Sequence, residues 1–305
     1  MPYINVDEAY ILDNTGLQVD QVVDIPYTDA ALTDTQKAQA RKNIAAGGTN
    51  PNLLDNPWLQ LNQRGFTSGV TSNNYCLDRW RSNNATIAYN STDQTIYIIT
   101  NATFSQKIEP KLYEYLVGQT VTLSCMYADG SIDSGTVVVP NTGSSYAANT
   151  PRLGLNGDNK QFQIYSNANV TIKAFKLELG TVSTLANDTP PNYADELDRC
   201  QYYFERISAG TANLTIGTGI GTGTYFYTPI KLHPKRTAPT VTYSGSVGIG
   251  RSAYETDITA IYTNGSSSDP NTGNYTLAVT VTNTTQTAYR LIIKTGGYID
   301  FSADL

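Results

Sequence analysis

Tyrosines are concentrated in one part of this chain, and their neighbours indicate what they could do. The sequence holds 22 Tyr against 7 Phe and 2 Trp. Five of the tyrosines lie between Gly-, Ser- and Thr-rich stretches: Tyr225, Tyr227, Tyr243, Tyr254 and Tyr262. A tyrosine ring offers a rigid apolar face with a hydroxyl at its rim, which suits weak binding of a polar target such as a glycan. We predict a glycan-binding site at Tyr225, Tyr227, Tyr254 and Tyr262. The alternative is that these are ordinary half-buried strand tyrosines.

The candidates for catalysis are few. His233 is the only histidine and is followed by Pro234. A Ser-His-Asp or Cys-His arrangement needs the imidazole close to a nucleophile and a carboxylate, and no GxSxG motif or catalytic cysteine context accompanies it. We therefore predict a loop histidine and no enzymatic activity. A glycosidase-type pair of carboxylates from distant positions stays an open alternative.

Several segments carry oxygen ligands or glycines without matching a known ligand motif. The segments DGSID, NGDN and DPNTGN could supply oxygens to calcium, but none follows the EF-hand pattern. We expect turns there, no cofactor, and structural calcium as a possibility. The run GTGIGTGTY, residues 217–225, lacks the Lys-Ser/Thr ending of a phosphate-binding loop. It is expected to be a strand edge or a hairpin tip.

The cysteines and tryptophans are expected to be structural. Cys76, Cys125 and Cys200 are odd in number and far apart, so they fit neither a zinc site nor a dense disulfide framework. Free cysteines are among the most buried residues, which predicts that all three are small core residues. Trp58 and Trp80 have apolar residues at alternate positions around them, and we expect both in the core as well.

The acidic charge is concentrated at the start of the chain. The formal net charge is −6, and residues 1–32 contain six acidic groups and no Lys or Arg. The remaining residues therefore hold 20 acidic and 20 basic groups. A neutral body argues against binding to nucleic acid or an anionic membrane. The first residues lack the basic and apolar regions of a secretory signal, and no apolar run could span a membrane, so we expect synthesis in a cytosol.

The first 48 residues predict an extended arm followed by one helix. Residues 1–31 have too little apolar mass for an independent domain and should fold against something else. In the next segment Thr33 and Gln36 have capping-box spacing, and Gly47 is a good C-cap. The apolar positions of this helix are few and small, so it needs partners such as copies of itself around an axis. The alternative is a helix that lies on its own domain.

From residue 50 onward the hydrophobic period is two, which is typical of strands. In TVTLSCMYA one face is apolar and the other carries Thr122 and Ser124, which predicts a half-buried strand. The inward set of VTIKAFKLELG changes phase, and a β-bulge near Ala174 would absorb the change. A Pro pair and acids around residues 184–199 predict a linker with a helical turn. The last residues alternate up to Leu305, so the chain should end inside a sheet.

Three stretches carry a resemblance to a known family. They are LTDTQKAQARKNIAAGG, with the pattern T-x-x-Q-K-x-x-A-R-x-N-I, then NLLDNPWLQLNQRG with YCLDRW, and IKAFKLELGTVST with ELDRCQYYFERI. They resemble the connector helix and the opening and closing segments of a carbohydrate-binding-module-like jelly roll in tail-fibre and related virion fibre proteins of bacteriophages and prophages. HPKRTAPTVT and GYIDFSADL resemble the small β-domain that often follows.

The resemblance implies a homotrimer that attaches to the virion by its N-terminus and exposes its distal end to the host. We expect a mainly β protein in four parts: a virion-docking arm over residues 1–31, a trimeric connector helix over 32–48, a jelly-roll β-sandwich over 49–196, and a C-terminal β-sandwich over 197–305 that contacts the receptor. Within the arm, the candidates for docking to other virion proteins are Asp7, Glu8, Tyr10 and Asp13.

The function expected from these observations is that of a tail fibre on the virion surface, made in the host cytoplasm, that adheres to host cell-surface polysaccharide. It would not bind nucleic acid or insert into a membrane, and no metal-site residues are assigned, with structural calcium left open. One alternative is a head-fibre or decoration protein on the capsid with looser adhesion. A polysaccharide depolymerase is the enzymatic alternative, which the absence of a solenoid repeat disfavours.

Overall fold

The computed structural model describes residues 50–99, 102–148, 151–245, 247–251, 256–284 and 287–305. The predicted arm and connector helix lie outside these residues. Thr49–Leu305 form one compact unit that is mainly β, which confirms the predicted fold class. Within the described ranges, no helix has both the length and the apolar character needed to cross a membrane.

Ten strands form the first β-region. They are β1 (Ser68–Leu77), β2 (Trp80–Asn90), β3 (Thr95–Ile98), β4 (Ala102–Lys107), β5 (Thr120–Tyr127), β6 (Ile132–Val138), β7 (Ser144–Tyr146), β8 (Arg152–Asn156), β9 (Gln161–Ser166) and β10 (Val170–Leu179), with helix α1 (Pro110–Leu116) between β4 and β5. They pair antiparallel in the order β6-β5-β10-β3-β2-β4-β9-β8-β7, and β1 adds to β2. Strands β5 and β6 also contact β7 and β8 from the other end of this order, so the sheet folds back around one core.

The core of the first β-region contains a cluster of four aromatic rings. The Trp80 ring is stacked on Phe104 at 4.9 Å between centroids and lies 4.7 Å from Phe175, and Phe162 meets it edge-on at 6.0 Å. All four side chains are fully buried. The Trp80 indole N–H donates to the carbonyl oxygen of Asn56 at 2.9 Å, so the one polar atom of the ring is satisfied inside the core. This confirms the predicted core position of Trp80.

Strand β10 contains the predicted β-bulge. Its pairing with β5 changes register between Ile172 and Ala174, where the inward set changes phase. The prediction that β5 is half-buried is wrong, because Thr122 and Ser124 on its outer face are also buried. The segment after β10 covers that face: the Thr122 hydroxyl donates to Gly180, and the Ser124 hydroxyl lies 2.8 Å from that of Ser183.

A buried ionic cluster fixes this covering segment. The Lys176 ammonium contacts both carboxylate oxygens of Asp188 at 2.6 and 2.7 Å and the Thr184 hydroxyl at 2.8 Å. Glu178 accepts from the backbone and the hydroxyl of Thr184 and lies 3.8 Å from Lys176. Lys176 and Glu178 are both fully buried. A buried charge is tolerated only with partners of this kind, so the cluster depends on all of its members.

The second β-region begins with a helix and contains nine strands. They are α2 (Tyr193–Gln201), β11 (Phe204–Ser208), β12 (Leu214–Lys231), β13 (Thr240–Tyr243), β14 (Val247–Gly250), β15 (Thr256–Asp257), β16 (Ala260–Thr263), β17 (Asn274–Thr284), β18 (Ala288–Ile293) and β19 (Tyr298–Ser302). The sheets have the orders β11-β19-β13 and β15-β14-β18-β12-β17-β16. Both contribute to one mainly aliphatic core, which is typical of a β-sandwich. The boundary predicted at residue 196 falls within α2 and stays a prediction.

The Gly-rich run lies in strand β12, not in a phosphate-binding loop. The first half of β12 pairs with β18 and the second half with β17. A Cβ atom at Gly219 would overlap the carbonyl oxygen of Tyr227, and one at Gly217 would overlap the Thr228 hydroxyl. The glycines therefore let the two halves of one strand approach each other.

The final strand lies inside a sheet, as predicted, but it ends at Ser302 and not at Leu305, and the residues after it join the two β-regions. Strand β19 is the central strand of its sheet, with Ile299 and Phe301 fully buried. Beyond it, Asp304 forms an ion pair with Arg64 at 2.5 Å, and the Leu305 carbonyl oxygen accepts from the Tyr75 hydroxyl at 3.0 Å. The last two residues therefore bind the first β-region directly.

Candidate functional site

Three of the four tyrosines predicted to bind glycan lie on one sheet face. Tyr225 and Tyr227 are two apart in β12, and Tyr262 lies in β16 on the other side of β17. Tyr227 and Tyr262 are both paired with Ala278, and Tyr225 is paired with Thr280, so the three rings project from the same side of the sheet. We call Tyr225, Tyr227 and Tyr262 the tyrosine platform.

The platform is accessible, and its rings are arranged side by side. The exposed fractions of Tyr225, Tyr227 and Tyr262 are 40%, 38% and 44%. The rings of Tyr225 and Tyr227 are 6.2 Å apart between centroids, with 27° between their planes. Ala278, which lies between Tyr227 and Tyr262, is only 1% exposed. Tyr227 and Tyr262 therefore flank the buried Ala278 from the two neighbouring strands.

A cleft of about 280 Å³ with a mixed polar and apolar lining lies next to this surface. Its lining includes Pro229, Lys231, Ser267, Asn274 and Thr276. Pro229 follows Tyr227 on the same face of β12 and is paired with Thr276. The Lys231 ammonium donates to the Asn274 side chain at 3.3 Å and to a neighbouring backbone carbonyl, so the cation is held at the rim.

Tyr275 also lines the cleft, from the strand that forms its floor. Its side chain is 2% exposed and belongs to the aliphatic core of the second β-region. Burial raises the pKa of Tyr275 to about 12, and the negative charges of Asp269 and Glu205 contribute in the same direction. The phenol therefore stays neutral throughout the physiological pH range, and the cleft gains no negative charge from its floor.

The remaining predicted site residues lie in parts of the chain that the structure does not describe. Tyr254 lies outside the described residues, as do the docking candidates Asp7, Glu8, Tyr10 and Asp13. Tyr243, which was also singled out in the sequence, lies in β13, and its hydroxyl donates to the backbone oxygen of Ile258 at 3.4 Å.

His233 lies in a loop, as predicted. Its Nδ1 is 3.0 Å from the carbonyl oxygen of Pro234, and its Nε2 is 3.9 Å from Asp198. Its backbone N–H donates to Glu205, which also accepts from the buried ammonium of Lys235 at 2.6 Å. Burial lowers the pKa of Lys235 while Glu205 opposes that shift. These contacts anchor the loop to β11.

The candidate calcium segments are hydrogen-bonded turns. Asp129 accepts from the backbone and hydroxyl of Ser131, and Asp269 accepts from the backbone of Asn271. The Asn156 side chain caps its own turn in the same way. These are the Asx turns expected of such residues. Across the described ranges, no group of three or more His, Cys, Asp and Glu side chains could hold a metal ion.

The three cysteines and Trp58 are buried, as predicted. Cys76, Cys125 and Cys200 are free and buried, and burial raises the pKa of Cys76 and Cys125 to about 12. Trp58 is 8% exposed. It also lines a cavity of about 600 Å³ in the first β-region, which we call the Trp58 cavity and which the sequence did not predict.

No protein-family model matches this chain. A search of curated proteins found no match either.

Proposed function

We propose that this chain is a fibre protein of a bacteriophage virion that adheres to host surface glycans through the tyrosine platform. The observation that carries the proposal is the position of Tyr225, Tyr227 and Tyr262, which share one uncovered sheet face beside this cleft. The assignment to a virion fibre rests on the sequence resemblance of the connector, jelly-roll and C-terminal motifs. The mainly β fold is compatible with it.

The platform has the chemistry of a saccharide site. The C–H-rich faces of sugar rings pack on aromatic rings, and Tyr225 and Tyr227 offer two such rings at a small angle. Sugar hydroxyls need both donors and acceptors, which Ser267, Asn274 and Thr276 supply in the adjacent cleft. Because the surface is open and its area small, each site should bind weakly.

Weak sites become effective when several copies act together. We propose a homotrimer, in which three platforms engage one cell surface at a high effective concentration. Three chains of 33.1 kDa give a mass of about 99 kDa, and closed cyclic symmetry is the norm for homo-oligomers. Light scattering of the full chain should give this trimer mass at all concentrations. A monomer that persists at high concentration would contradict it.

The proposed activity is binding without cleavage. General acid and base catalysis needs a proton carrier aimed into the binding site. The contacts of His233 lie instead with Pro234, Asp198 and Glu205, in the loop before β13. Incubating the full chain with purified bacterial polysaccharide should therefore release no reducing ends. Release would favour the depolymerase alternative.

The platform is tested with a triple variant of the full chain, Tyr225→Ala/Tyr227→Ala/Tyr262→Ala. Loss of three stacking rings should weaken adsorption to bacterial cells and to arrayed surface polysaccharides at least about tenfold. The matched control replaces three tyrosines that are at least as exposed and lie elsewhere, Tyr115→Ala/Tyr146→Ala/Tyr193→Ala, with exposed fractions of 68%, 42% and 57%. It should adsorb like the original chain.

An equal loss of adsorption in both triple variants would indicate nonspecific adhesion through exposed tyrosines. Unchanged adsorption of the platform variant would show that these three tyrosines do not bind the glycan. Circular dichroism checks that both variants fold. Labelling particles with an antibody against residues 197–305 then locates the chain: label on the tail supports a tail fibre, and label on the head supports a capsid fibre.

A further inference from the structure

The ionic cluster under the covering segment holds an amine against a carboxyl group. The Nζ atom of Lys176 lies 2.6 Å from Oδ1 and 2.7 Å from Oδ2 of Asp188. A nitrogen at these distances from both oxygens is at most about 3 Å from the carbon that joins them, which is close enough for attack on that carbon. The two side chains are therefore within bonding reach of each other.

The backbone holds both partners in place. Asp188 follows the 3₁₀ turn Leu185–Asn187, and its backbone N–H donates to the carbonyl oxygen of Leu185 at 3.1 Å. Thr184, which precedes the turn, is fixed on β10, because its backbone N–H donates to Glu178 at 2.8 Å. The approach of the amine to the carboxyl group is thus set before any reaction, which is the condition under which an intramolecular reaction is fast.

A hydrogen-bond path connects the amine to a second carboxylate. The Nζ atom of Lys176 donates to the Thr184 hydroxyl at 2.8 Å, and that hydroxyl donates to Oε2 of Glu178 at 2.5 Å. An ion pair between Lys176 and Asp188 does not require such a path. Amide formation does, because the amine must give up protons as the new bond forms.

The surroundings of the cluster exclude bulk water. Lys176 and Glu178 are fully buried, and so is Leu185, which packs in an apolar cluster with Trp58. Exclusion of water protects a reacting carboxyl group from the reverse hydrolysis. The side chain of Asp188 is 11% exposed, so a released water molecule has a way out at this one partner.

We propose that Lys176 and Asp188 join in an intramolecular amide bond after the chain has folded. One proton first moves along the hydrogen bond from Lys176 to Asp188, which gives a neutral amine and a neutral acid. The amine nitrogen then attacks the carboxyl carbon, and its proton passes through the Thr184 hydroxyl to Glu178. The same path returns a proton to the departing hydroxyl, the C–O bond breaks, and one water leaves. Glu178 ends as the carboxylate that it was.

The bond would fasten the covering segment to β10 permanently. The freshly folded chain holds the ion pair, and the linked form accumulates with time because the neutral pair must form first. A cross-link that closes a loop restricts the unfolded chain and thereby stabilises the folded one. This modification does not depend on the tyrosine platform or on what the chain binds.

Mass spectrometry of the denatured full chain tests the proposal. Over days in neutral buffer the chain should lose one water, about 18 Da. Trypsin does not cut after an acylated lysine, so digestion should give peptide 174–199 uncut at Lys176 and lighter by one water. An unchanged mass would show an ordinary ion pair and overturn the proposal. A lighter chain that trypsin still cuts at Lys176 would overturn it as well.

Variants assign the roles of the side chains. Lys176→Arg keeps the positive charge but has no amine to acylate, so it should keep its full mass. Thr184→Val interrupts the path and Glu178→Gln removes its end, and each should slow the loss of water at least about tenfold. Thr184→Ser keeps the hydroxyl and should react at nearly the original rate. Circular dichroism checks that each variant folds. A folded Thr184→Val chain that reacts as fast as the original would refute the path.

Two other lysine–carboxylate pairs in the same chain are internal controls. Lys160 contacts Glu114 at 2.7 Å on the surface, and the buried Lys235 contacts Glu205 at 2.6 Å. Each contact is made through one carboxylate oxygen. Trypsin should therefore cut after Lys160 and Lys235 at all times. An amide bond at either pair would show that a short contact is sufficient and would refute the roles of Thr184 and Glu178.

Discussion

The two β-regions differ in how they fill their cores. In the first, Trp80 touches three phenylalanine rings within 6.0 Å. Both cores are made mostly of Val, Leu and Ile, but among the described residues of the second core Phe226 lies next to one aromatic ring, that of Tyr289, at 6.4 Å. Aromatic rings bury more area per residue and add specific ring contacts. The first region therefore gathers aromatic ring contacts around Trp80, whereas Phe226 in the second region has fewer of them.

The two β-regions also differ in whether the outer faces of their strands are covered. On β5 and β10 the outer face is covered by the chain after residue 179, which brings a buried ionic cluster with it. On β12 and β16 the outer face is left open and carries the tyrosine platform. Two strand faces thus differ, because residues 180–188 cover one of them, whereas the tyrosines on the other are exposed.

The largest effect on stability should come from removing β19, the central strand of the three-stranded sheet in the second β-region. Deleting residues 299–305 removes the ladder partner of both β11 and β13 and the buried side chains of Ile299 and Phe301. Each such side chain contributes about 1.5–3 kcal/mol. Calorimetry should show that the second β-region loses its cooperative unfolding transition while the first β-region keeps one.

A shorter deletion serves as the control. Removing residues 304–305 breaks the ion pair with Arg64 and the contact with Tyr75 but leaves β19 in place. It should leave both cores folded. A single unchanged transition after the longer deletion would show that the final strand does not contribute to stability.

Substitutions in the two cores come next. Trp80→Ala should lower the free energy of unfolding by about 5 kcal/mol and Phe226→Ala by about 3 kcal/mol, because truncating a buried aromatic costs most where more neighbours lose contacts. Urea unfolding followed by circular dichroism measures both. Equal values would mean that the ring contacts add no stability beyond that of the buried area. The different ring arrangements of the two cores would then have no energetic consequence.

The ionic cluster under the covering segment should give the third effect. Lys176→Met leaves Glu178 buried without its cation, and breaking a buried pair in this way costs about 3 kcal/mol or more. Adding Glu178→Gln removes the uncompensated charge, so the double variant should recover part of the loss. Urea unfolding that finds the double variant less stable than the single one would contradict an ionic origin.

Much of the fold was predictable because its signals are local. The phase change at Ala174 is visible in the sequence, and the burial of Trp80 follows from its apolar neighbours. The burial of Thr122 and Ser124 was not predictable, since it depends on chain that returns from residues 180–183. Local patterns report which residues alternate, but they do not report what packs on the second face.

The same distinction applies to the candidate site. Tyr225 and Tyr227 share a face by parity alone, so their pairing could be inferred. That Tyr262 joins them depends on the registers of both strands with Ala278, which no single segment encodes. The Trp58 cavity was missed for a related reason: its lining comes from five segments that are far apart in the sequence, and the apolar neighbours of Trp58 indicated only its burial.

The smallest expected effect is a pH dependence of stability that arises from Glu196. This residue lies in α2, at the junction of the two β-regions. One of its oxygens accepts from the backbone of Asn56, and Arg199 donates to the other at 3.3 Å. Burial nevertheless dominates and raises the pKa of Glu196 above its ordinary value of 4.5. A raised folded-state pKa means that stability from this group is fully present below pH 4.5 and is lost as the pH rises through the folded value.

The variant Glu196→Gln has no ionisable group at this position, so it should not lose stability in this way as the pH rises. Between pH 4 and pH 7 the original chain should therefore become less stable relative to the variant, as measured by urea unfolding at several pH values. Glu114 offers a control of opposite sign, because its hydrogen bond with Lys160 lowers its pKa. Stability from that exposed carboxylate is lost as the pH falls, so Glu114→Gln should give a slight trend in the other direction. Parallel trends in the two variants would show that the pH dependence comes from the overall charge and not from burial at the junction.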